Sequence, residues 1–348
     1  MIESAEVRAG ARTGGLLRTG AVLGGSAFPP ARPAVLSIAT ELPVGRLSTA
    51  ELARRLDVSD AWIMSRTGVR ERPIAGPDER LSDYAARAGL RALQRAGVAP
   101  AELDLVIVAT MTPDELTPNA APLVAHALGA AAAGAVDVGA ACTGFLSGLA
   151  LAAAQVESGR AHRVLLIGAD FVTRITDWND KRTAPLFGDG VGAVVVGPAA
   201  NGLGAIGPIV LGADGSGGAA IHAGHVDRKL RMDGPEVYKH AIARLSQATL
   251  QAVASVELTL DDVDLFVYHQ ANARIVRALA ERLELMPDHV VDCIETLGNS
   301  SAATLPLGLA VAARDGRLRP GKRVLLAAFG AGFTWAGGVI EWGGAELG

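Results

Sequence analysis

The chain has 348 residues and a formal net charge of -4, with 50% hydrophobic and 20% charged residues. This composition predicts a globular protein with a large core, and its mild acidity gives no reason to expect a nucleic acid or an anionic membrane as partner. No apolar run approaches the roughly 20 residues that a transmembrane helix needs. Residues 1–33 lack the pattern of a secretion signal, so we expect a poorly ordered N-terminal extension on a cytoplasmic protein.

The sequence contains two cysteines, Cys142 and Cys293. They could form one disulfide, but a large chain with so few cysteines and no secretion signal is more simply a reduced cytosolic protein. Neither cysteine belongs to a C-x-x-C pair, and no two histidines have the H-E-x-x-H spacing. We therefore expect no metal site.

An internal repeat divides the chain. Residues 102–109 resemble residues 262–269, and residues 162–168 resemble residues 322–328, both at an offset of 160. Two independent strand-like pairs at one offset indicate a duplicated fold. In both copies, apolar strand-like runs alternate with helical stretches, which predicts helices packed on mostly parallel sheets.

We therefore expect two duplicated α/β halves, residues 34–200 and 201–348, packed face to face with a shared ligand site at their junction. A third pair of similar segments begins at Phe187 and Phe329, at the shorter offset of 142. The first half thus carries about 18 extra residues by this alignment. Most of them form the polar segment 171–186, which we interpret as a surface loop or lid.

Cys142 lies where a short strand-like run ends and a helical pattern rich in small residues begins. A thiol at the start of a helix faces the positive end of the helix dipole, which favours the reactive thiolate. The alternative is a buried cysteine that acts as a small hydrophobic residue, which is the more common role of this side chain.

The repeat predicts which residues surround Cys142. Its counterpart at the offset of 160 falls beside Asn299, and His269 stands at the predicted end of a strand. These three side chains should therefore face one cavity, where a thiol and two nitrogen donors can serve as nucleophile and oxyanion site. Alternatively, His269 is a structural histidine with its own partners, and Asn299 caps the helix that begins near Ser300.

Several motifs in order resemble β-ketoacyl-acyl-carrier-protein synthase III, the initiating condensing enzyme of the thiolase superfamily. The motifs are Ala140-Ala-Cys-Thr-Gly-Phe145, Phe187-Gly-Asp-Gly-Val-Gly-Ala193, His269-Gln-Ala-Asn-Ala-Arg-Ile275, Gly298-Asn-Ser-Ser-Ala-Ala303 and Phe329-Gly-Ala-Gly-Phe-Thr-Trp335. The resemblance covers nearly the whole chain after residue 33. It implies the thiolase-like fold, an α/β architecture with layers in the order αβαβα.

The resemblance also implies a reaction in two stages. Cys142 would take an acyl group from acyl-coenzyme A and condense it with malonyl on acyl carrier protein, while His269 and Asn299 stabilise the enolate formed by decarboxylation. The backbone of Cys142 and of the 329–333 loop, with Gly330, Gly332 and Phe333, would bind the oxyanion of acyl transfer. No cofactor is expected besides acyl-coenzyme A as substrate.

The same resemblance implies binding residues on the rim. Trp62 would stack on the adenine of coenzyme A, with Arg66 and either Lys181 or Arg182 at its phosphates. Lys239 and Arg274 would receive the acyl carrier protein. Alternatively, Trp62 is an exposed tryptophan without a ligand, and Lys239 and Arg274 are ordinary solvated charges. The residues with roles implied by the resemblance are Trp62, Arg66, Lys181, Arg182, Lys239 and Arg274.

Thr117 matches the position that closes the primer pocket, often from the partner subunit of a homodimer. Threonine leaves more room than an aromatic residue, so we expect a primer that is branched or longer than acetyl. Pro235 stands where the family often has asparagine, which keeps open a second function, acyl transfer to a hydroxyl, amine or carrier without condensation. A third class, a non-catalytic partner subunit, has no chemical need for an intact Cys–His–Asn set.

Overall fold

The computed structural model describes residues 31–199 and 203–344. The predicted extension, residues 1–33, lies outside these ranges up to residue 30. The first strand begins at Pro33. None of the helices within the described ranges is both long enough and apolar enough to cross a membrane.

Twelve elements come from the first half of the chain. In order they are β1 (Pro33–Glu41), β2 (Arg46–Ser48), α1 (Thr49–Leu56), α2 (Asp60–Thr67), β3 (Glu71–Pro73), α3 (Leu81–Ala96), β4 (Leu105–Ala109), α4 (Ala120–Leu128), β5 (Gly134–Val138), α5 (Gly144–Glu157), β6 (Val164–Phe171) and β7 (Asp189–Pro198).

The second half continues with β8 (Ala205–Ala213), β9 (Ile221–Ala223), β10 (Leu230–Met232), α6 (Gly234–Ala254), β11 (Leu265–Tyr268), α7 (Ala273–Arg282), α8 (Ile294–Leu297), α9 (Thr304–Arg314), β12 (Arg323–Gly330) and β13 (Thr334–Glu341). Short 3-10 turns precede several of these helices, among them Ala141–Thr143 and Ser301–Ala303.

Two mixed sheets form the centre of the molecule, in the strand orders β1-β7-β6-β4-β5 and β11-β12-β13-β8. β4 runs parallel to β5 and β6, and β11 runs parallel to β12. The pairings of β7 with β1 and β6, and of β13 with β12 and β8, are antiparallel. Antiparallel pairing is therefore more extensive than the sequence pattern indicated, because the three residues between β12 and β13 can only form a hairpin.

The packing confirms the layered architecture. Phe145 and Leu149 of α5 share one core with Leu305 and Leu309 of α9 and with strands of both sheets, so these two helices lie between the sheets. Helices α3 and α4 pack on the outer face of the first sheet, and α6 and α7 on the outer face of the second. The order of layers is αβαβα.

The internal repeat is visible in individual hydrogen bonds. The Asp104 carboxylate accepts a hydrogen bond from the backbone N–H of Arg163 at 2.9 Å, and Asp264 accepts one from Arg323 at 2.8 Å. The second pair follows the first at an offset of 160 residues, as the first two repeat markers predicted.

The third repeat marker is displaced by two residues. Val164 pairs with Val196, whereas the equivalent Val324 pairs with Ile340, which gives an offset of 144 rather than 142. The extra segment of the first half is therefore two residues shorter than the sequence alignment indicated. Because side chains alternate along a strand, a shift by an even number leaves each one on its predicted face.

The segment 171–186 is anchored rather than exposed along its length. Val172, Thr176 and Ala184 are buried, and the Thr183 side chain is also fully covered. Only a few of its side chains reach solvent, Lys181 and Arg182 among them. The exposed turn with Lys181 and Arg182 and the C-terminal residues Pro185 and Leu186 form part of the wall around the central cavity.

Candidate active site

A cavity of about 580 Å³ lies where the two halves meet, and Cys142, His269 and Asn299 all line it. Cys142 comes from the first half, whereas His269 and Asn299 come from the second half, more than 100 residues further along the chain. The predicted convergence of these side chains is thus present in the structure. Within the described parts of the chain, no group of three or more metal-ligating side chains is placed to hold a metal ion.

Cys142 sits in the tight turn Ala141–Thr143, directly before α5. Ala141 has a φ of 45°, a conformation that costs a non-glycine residue on the order of 1–3 kcal/mol and is typical of functional turns. The Ser301 hydroxyl lies 3.7 Å from the sulfur of Cys142. The backbone N–H groups of Ala331 and of Cys142 itself lower the pKa of the thiol.

The surroundings of Cys142 raise the pKa of its thiol. Burial, the largest cause, raises the pKa of the Cys142 thiol to about 11; the nearby Asp170 carboxylate acts in the same direction, and the hydrogen bonds from Ser301 and Ala331 act in the opposite direction. The helix dipole favours a thiolate by only about 0.3–1 kcal/mol, which is less than one pKa unit. Burial of the sulfur therefore opposes the stabilisation of the thiolate that the helix dipole provides.

This raised pKa predicts how Cys142 reacts with an alkylating reagent. The rate with iodoacetamide should increase about tenfold for each pH unit between pH 7 and pH 10, since only the thiolate attacks and its fraction keeps growing below the pKa. Peptide mapping by mass spectrometry measures the modification at each cysteine separately. A rate that levels off near pH 8 would contradict the prediction.

His269 follows β11 directly, and its backbone N–H donates to the carbonyl of Ala327 at 2.9 Å. Its ring is 2% exposed, and burial lowers the pKa of His269 to about 3, so the imidazole is neutral at physiological pH. Nδ1 is 2.6 Å from the hydroxyl oxygen of Thr304. Among the described residues, no group hydrogen-bonds to the other ring nitrogen, which is left for the cavity.

Asn299 is held on both sides. Its backbone N–H donates to the carbonyl of Leu186 at 2.9 Å, and its own carbonyl accepts from Gly188 at 3.1 Å. The side-chain oxygen accepts the backbone N–H of Ser301 at 2.9 Å. Both interpretations of Asn299 are therefore compatible, because capping the turn with Oδ1 orients the Nδ2 donor away from the turn.

The loop between β12 and β13 approaches the nucleophile at Gly330. A Cβ atom at this position would lie 2.8 Å from Cβ of Cys142 and 3.0 Å from its backbone nitrogen. Gly330 and Ala331 line the cavity, whereas Gly332 and Phe333 do not. Phe333 is 2% exposed and packs against Phe329, because its ring completes the outer core of the second half.

Asp170 is a buried residue that the sequence analysis missed. Its Oδ1 accepts hydrogen bonds from Met111 N–H at 2.8 Å and from the Thr112 hydroxyl at 3.0 Å, and Oδ2 accepts from Ala302 N–H at 3.1 Å. Burial raises the pKa of Asp170, and these hydrogen bonds oppose the shift. Asp170 stands 160 residues before Gly330, at the equivalent position of the repeat, and this equivalence could have identified it from the sequence.

The four residues expected to bind coenzyme A, namely Trp62, Arg66, Lys181 and Arg182, all line the rim of the cavity. The Arg66 guanidinium lies 4.2 Å from the centre of the Trp62 ring. Arg182 forms an ion pair with Asp180 at 3.0 Å, whereas no ion pair of Lys181 occurs among the described residues. The rim therefore concentrates positive charge around one aromatic ring.

The remaining predicted residues are distributed over the surface. Arg274 lines the rim and lies over the Tyr238 ring at 5.5 Å, and Pro235 also lines the cavity. Lys239 is exposed on α6 outside the cavity wall. Thr117 is exposed as well and does not line the cavity of its own chain.

Known proteins share this fold and sequence. Residues 136–215 match the family model described as 3-Oxoacyl-[acyl-carrier-protein (ACP)] synthase III, and residues 253–342 match that of its C-terminal part. The chain is 42% identical over 322 residues to a beta-ketoacyl-[acyl-carrier-protein] synthase III of Caldanaerobacter subterraneus subsp. tengcongensis, covering 88% of this chain and 97% of the relative.

Two solved structures extend the comparison. A beta-ketoacyl-ACP synthase III from Thermus thermophilus has a TM-score of 0.86 and 43% identity, covering 90% of this chain and 100% of that one. The priming beta-ketosynthase of the R1128 polyketide pathway has a TM-score of 0.88 and 38% identity, covering 93% and 100%. The chain belongs to the 3-oxoacyl-[acyl-carrier-protein] synthase III family.

Proposed function

We propose that the chain transfers an acyl group from acyl-coenzyme A to Cys142 and condenses it with malonyl-acyl carrier protein, which starts fatty acid or polyketide synthesis. The observation that carries this proposal is the convergence of one thiol with His269 and Asn299, each oriented by its own partner, on a single cavity. A thiol alone would suffice for acyl transfer. The two nitrogen groups supply what an enolate additionally requires.

In the first step, the sulfur of Cys142 bonds to the thioester carbonyl carbon and the bond to the coenzyme A sulfur breaks. The thiol proton of Cys142 passes to the leaving coenzyme A sulfur, so the products are acyl-Cys142 and free coenzyme A. The backbone N–H groups of Cys142 and Ala331, two residues that line the same cavity, would stabilise the oxyanion.

In the second step, the malonyl carboxylate leaves as carbon dioxide and its electron pair becomes an enolate. His269 and Asn299 hydrogen-bond to the enolate oxygen through Nε2 and Nδ2. The enolate carbon then attacks the acyl-Cys142 carbonyl, and the sulfur leaves and regains a proton from solvent. The product is a 3-oxoacyl group on the carrier protein, and no further cofactor takes part.

The charges on the rim support coenzyme A as the acyl donor. Trp62 offers an aromatic face to adenine, and the cations of Arg66, Lys181 and Arg182 match the negative phosphates. Lys181 is the better candidate for a direct phosphate contact, because Arg182 is already paired with Asp180. Lys239 and Arg274, on α6 and α7, would receive the acidic carrier protein on the same side.

The primer pocket and the oligomeric state belong to the same proposal. β5 is the last strand of its sheet, with Val136 43% exposed, and Leu116 next to Thr117 is 78% exposed. A homodimer that joins the two β5 edges would cover these residues and bring Thr117 to the partner's cavity. A cytoplasmic location is consistent with two free cysteines.

The proposal is tested with purified protein, malonyl-acyl carrier protein and either acetyl-, butyryl- or isobutyryl-coenzyme A. We expect mass spectrometry to detect acyl-Cys142, carbon dioxide release and a 3-oxoacyl carrier product, with faster turnover for butyryl and isobutyryl than for acetyl because threonine occupies position 117. Equal or faster turnover with acetyl would contradict the primer prediction.

Omission of malonyl-acyl carrier protein is the control, since Cys142 should then become acylated without releasing carbon dioxide. Acylation that never leads to carbon dioxide or a 3-oxoacyl product in the complete mixture would exclude condensation and favour simple acyl transfer.

A further inference from the structure

Thr304 is the residue that contacts the buried side of His269. It begins α9, is 2% exposed, and its hydroxyl oxygen lies 2.6 Å from Nδ1 of His269. The same hydroxyl is 3.0 Å from the carbonyl oxygen of Ser301. A threonine hydroxyl has a single proton, so it can donate to only one of these two acceptors at a time.

Each choice gives His269 a different tautomer. If Thr304 donates to the Ser301 carbonyl, Nδ1 must carry the histidine proton and the ring nitrogen facing the cavity is an acceptor. If Thr304 donates to Nδ1, the histidine proton lies on Nε2, which becomes a donor towards the cavity. Because the imidazole is neutral, it holds only one of the two protons.

The distances favour the second arrangement. Hydrogen bonds to an oxygen acceptor are centred at about 2.7–2.8 Å for an O–H donor and at about 2.9–3.0 Å for an N–H donor. The 2.6 Å between Nδ1 and the hydroxyl oxygen is short for an N–H donor, and the 3.0 Å between the hydroxyl and the carbonyl is long for an O–H donor. The Ser301 carbonyl also already accepts the backbone N–H of Thr304.

We infer that Thr304 is a positioning residue that donates its hydroxyl proton to Nδ1 of His269 and so keeps the histidine proton on Nε2, facing the malonyl thioester. The inference rests on the proposed function for its consequence in catalysis. It assigns His269 and Asn299 the same role, since both then present N–H donors to one oxygen.

A second consequence concerns the proton of Cys142. With Nε2 protonated and Nδ1 occupied by Thr304, His269 has no free lone pair to accept the thiol proton in acyl transfer. Among the described residues, the side chain that hydrogen-bonds to the sulfur is Ser301, at 3.7 Å. Removal of the Thr304 hydroxyl should therefore slow decarboxylation and leave acyl transfer to Cys142 nearly unchanged.

The tautomer can be read directly by nitrogen NMR on the full chain labelled with 15N-histidine, with the His269→Ala variant used only to assign the signals. We expect the wild-type His269 ring to show a protonated Nε2 and an unprotonated Nδ1. A protonated Nδ1 in the wild-type protein would overturn the inference. This measurement needs no substrate and no functional variant.

Two variants at Thr304 provide the kinetic test. Thr304→Val removes the hydroxyl while it keeps the branched shape, and decarboxylation of malonyl-acyl carrier protein should fall about 10- to 100-fold, the range for a lost hydrogen bond to a group that stabilises charge. Thr304→Ser keeps the hydroxyl and should restore the rate to within about threefold. Acylation of Cys142 should change less than about threefold in both variants.

Equal losses of acylation and decarboxylation in Thr304→Val, or wild-type decarboxylation in that variant, would overturn the positioning role. A failure of the proposed function is distinguishable from these outcomes. If the wild-type protein released no carbon dioxide from malonyl-acyl carrier protein, the proposed function would fail, while the NMR signals would still decide the tautomer.

Discussion

Replacement of Cys142 by alanine is expected to abolish acylation of the protein by acyl-coenzyme A while malonyl-acyl carrier protein is still decarboxylated. Acylation should fall by more than about 10³-fold, because the sulfur forms the covalent bond. Decarboxylation should stay within about tenfold of the wild-type rate. The orienting partners of His269 and Asn299 are Thr304 and the Ser301 backbone, and neither hydrogen bond involves the sulfur.

The measurement follows the mass of the intact protein after incubation with acyl-coenzyme A, and carbon dioxide release from malonyl-acyl carrier protein in a separate mixture. Cys293→Ala is the matched control, because Cys293 is also a free cysteine but does not line the catalytic cavity. Acylation of the Cys142→Ala protein would show that another residue is the nucleophile. Loss of both activities would show that the sulfur also maintains the enolate site.

The duplicated fold was predictable because the repeat is written in local sequence. Asp104 and Asp264 each cap the start of a neighbouring strand, so the same short pattern has the same local structure in both halves. The offset of 160 also predicted that residue 302 occupies the place of Cys142. Ala141 and Ser301, the preceding residues in the two turns, both have positive φ values, of 45° and 50°.

The errors arose where three-dimensional packing decides the outcome. The pKa of Cys142 depends on burial by residues from both halves, which no local pattern reveals. The alignment of the third repeat followed matching glycines, whereas hydrogen-bond pairing of β7 and β13 sets the actual register. Within the 329–333 loop, packing also decides which residues reach the cavity: Gly330 and Ala331 line it, whereas Gly332 and Phe333 do not.

Asp170 shows what a comparison of the two halves adds to motif reading. Its carboxylate accepts the backbone N–H of Ala302, which is the residue equivalent to Cys142. The residue equivalent to Asp170 is Gly330, beside Cys142 itself. Beside the turn of Ala302, the Asp170 carboxylate therefore occupies the space that the absent side chain of Gly330 leaves open beside the turn of Cys142. This open space is where a thioester oxygen can reach the N–H of Cys142.

Alanine at Gly330 is therefore expected to slow acyl transfer to Cys142 by about 10²- to 10³-fold, the effect of losing an oxyanion donor. Its Cβ would lie 2.8 Å from Cβ of Cys142 and 3.0 Å from the backbone nitrogen, so the nucleophile turn must move. Overpacking of this kind should also lower the free energy of unfolding by about 1–3 kcal/mol. Single-turnover acylation and thermal unfolding measure the two effects.

Gly215→Ala is the control, because a Cβ at Gly215 meets no atom within 4 Å and the residue does not line the cavity. Wild-type acylation by Gly330→Ala would mean that the oxyanion binds elsewhere. A loss of stability without a loss of acylation would assign Gly330 to packing alone. Since the Asp170 carboxylate occupies the backbone N–H of Ala302 at the equivalent turn, a slower Gly330→Ala enzyme would show that the missing side chain at Gly330 keeps the N–H of Cys142 open to the substrate.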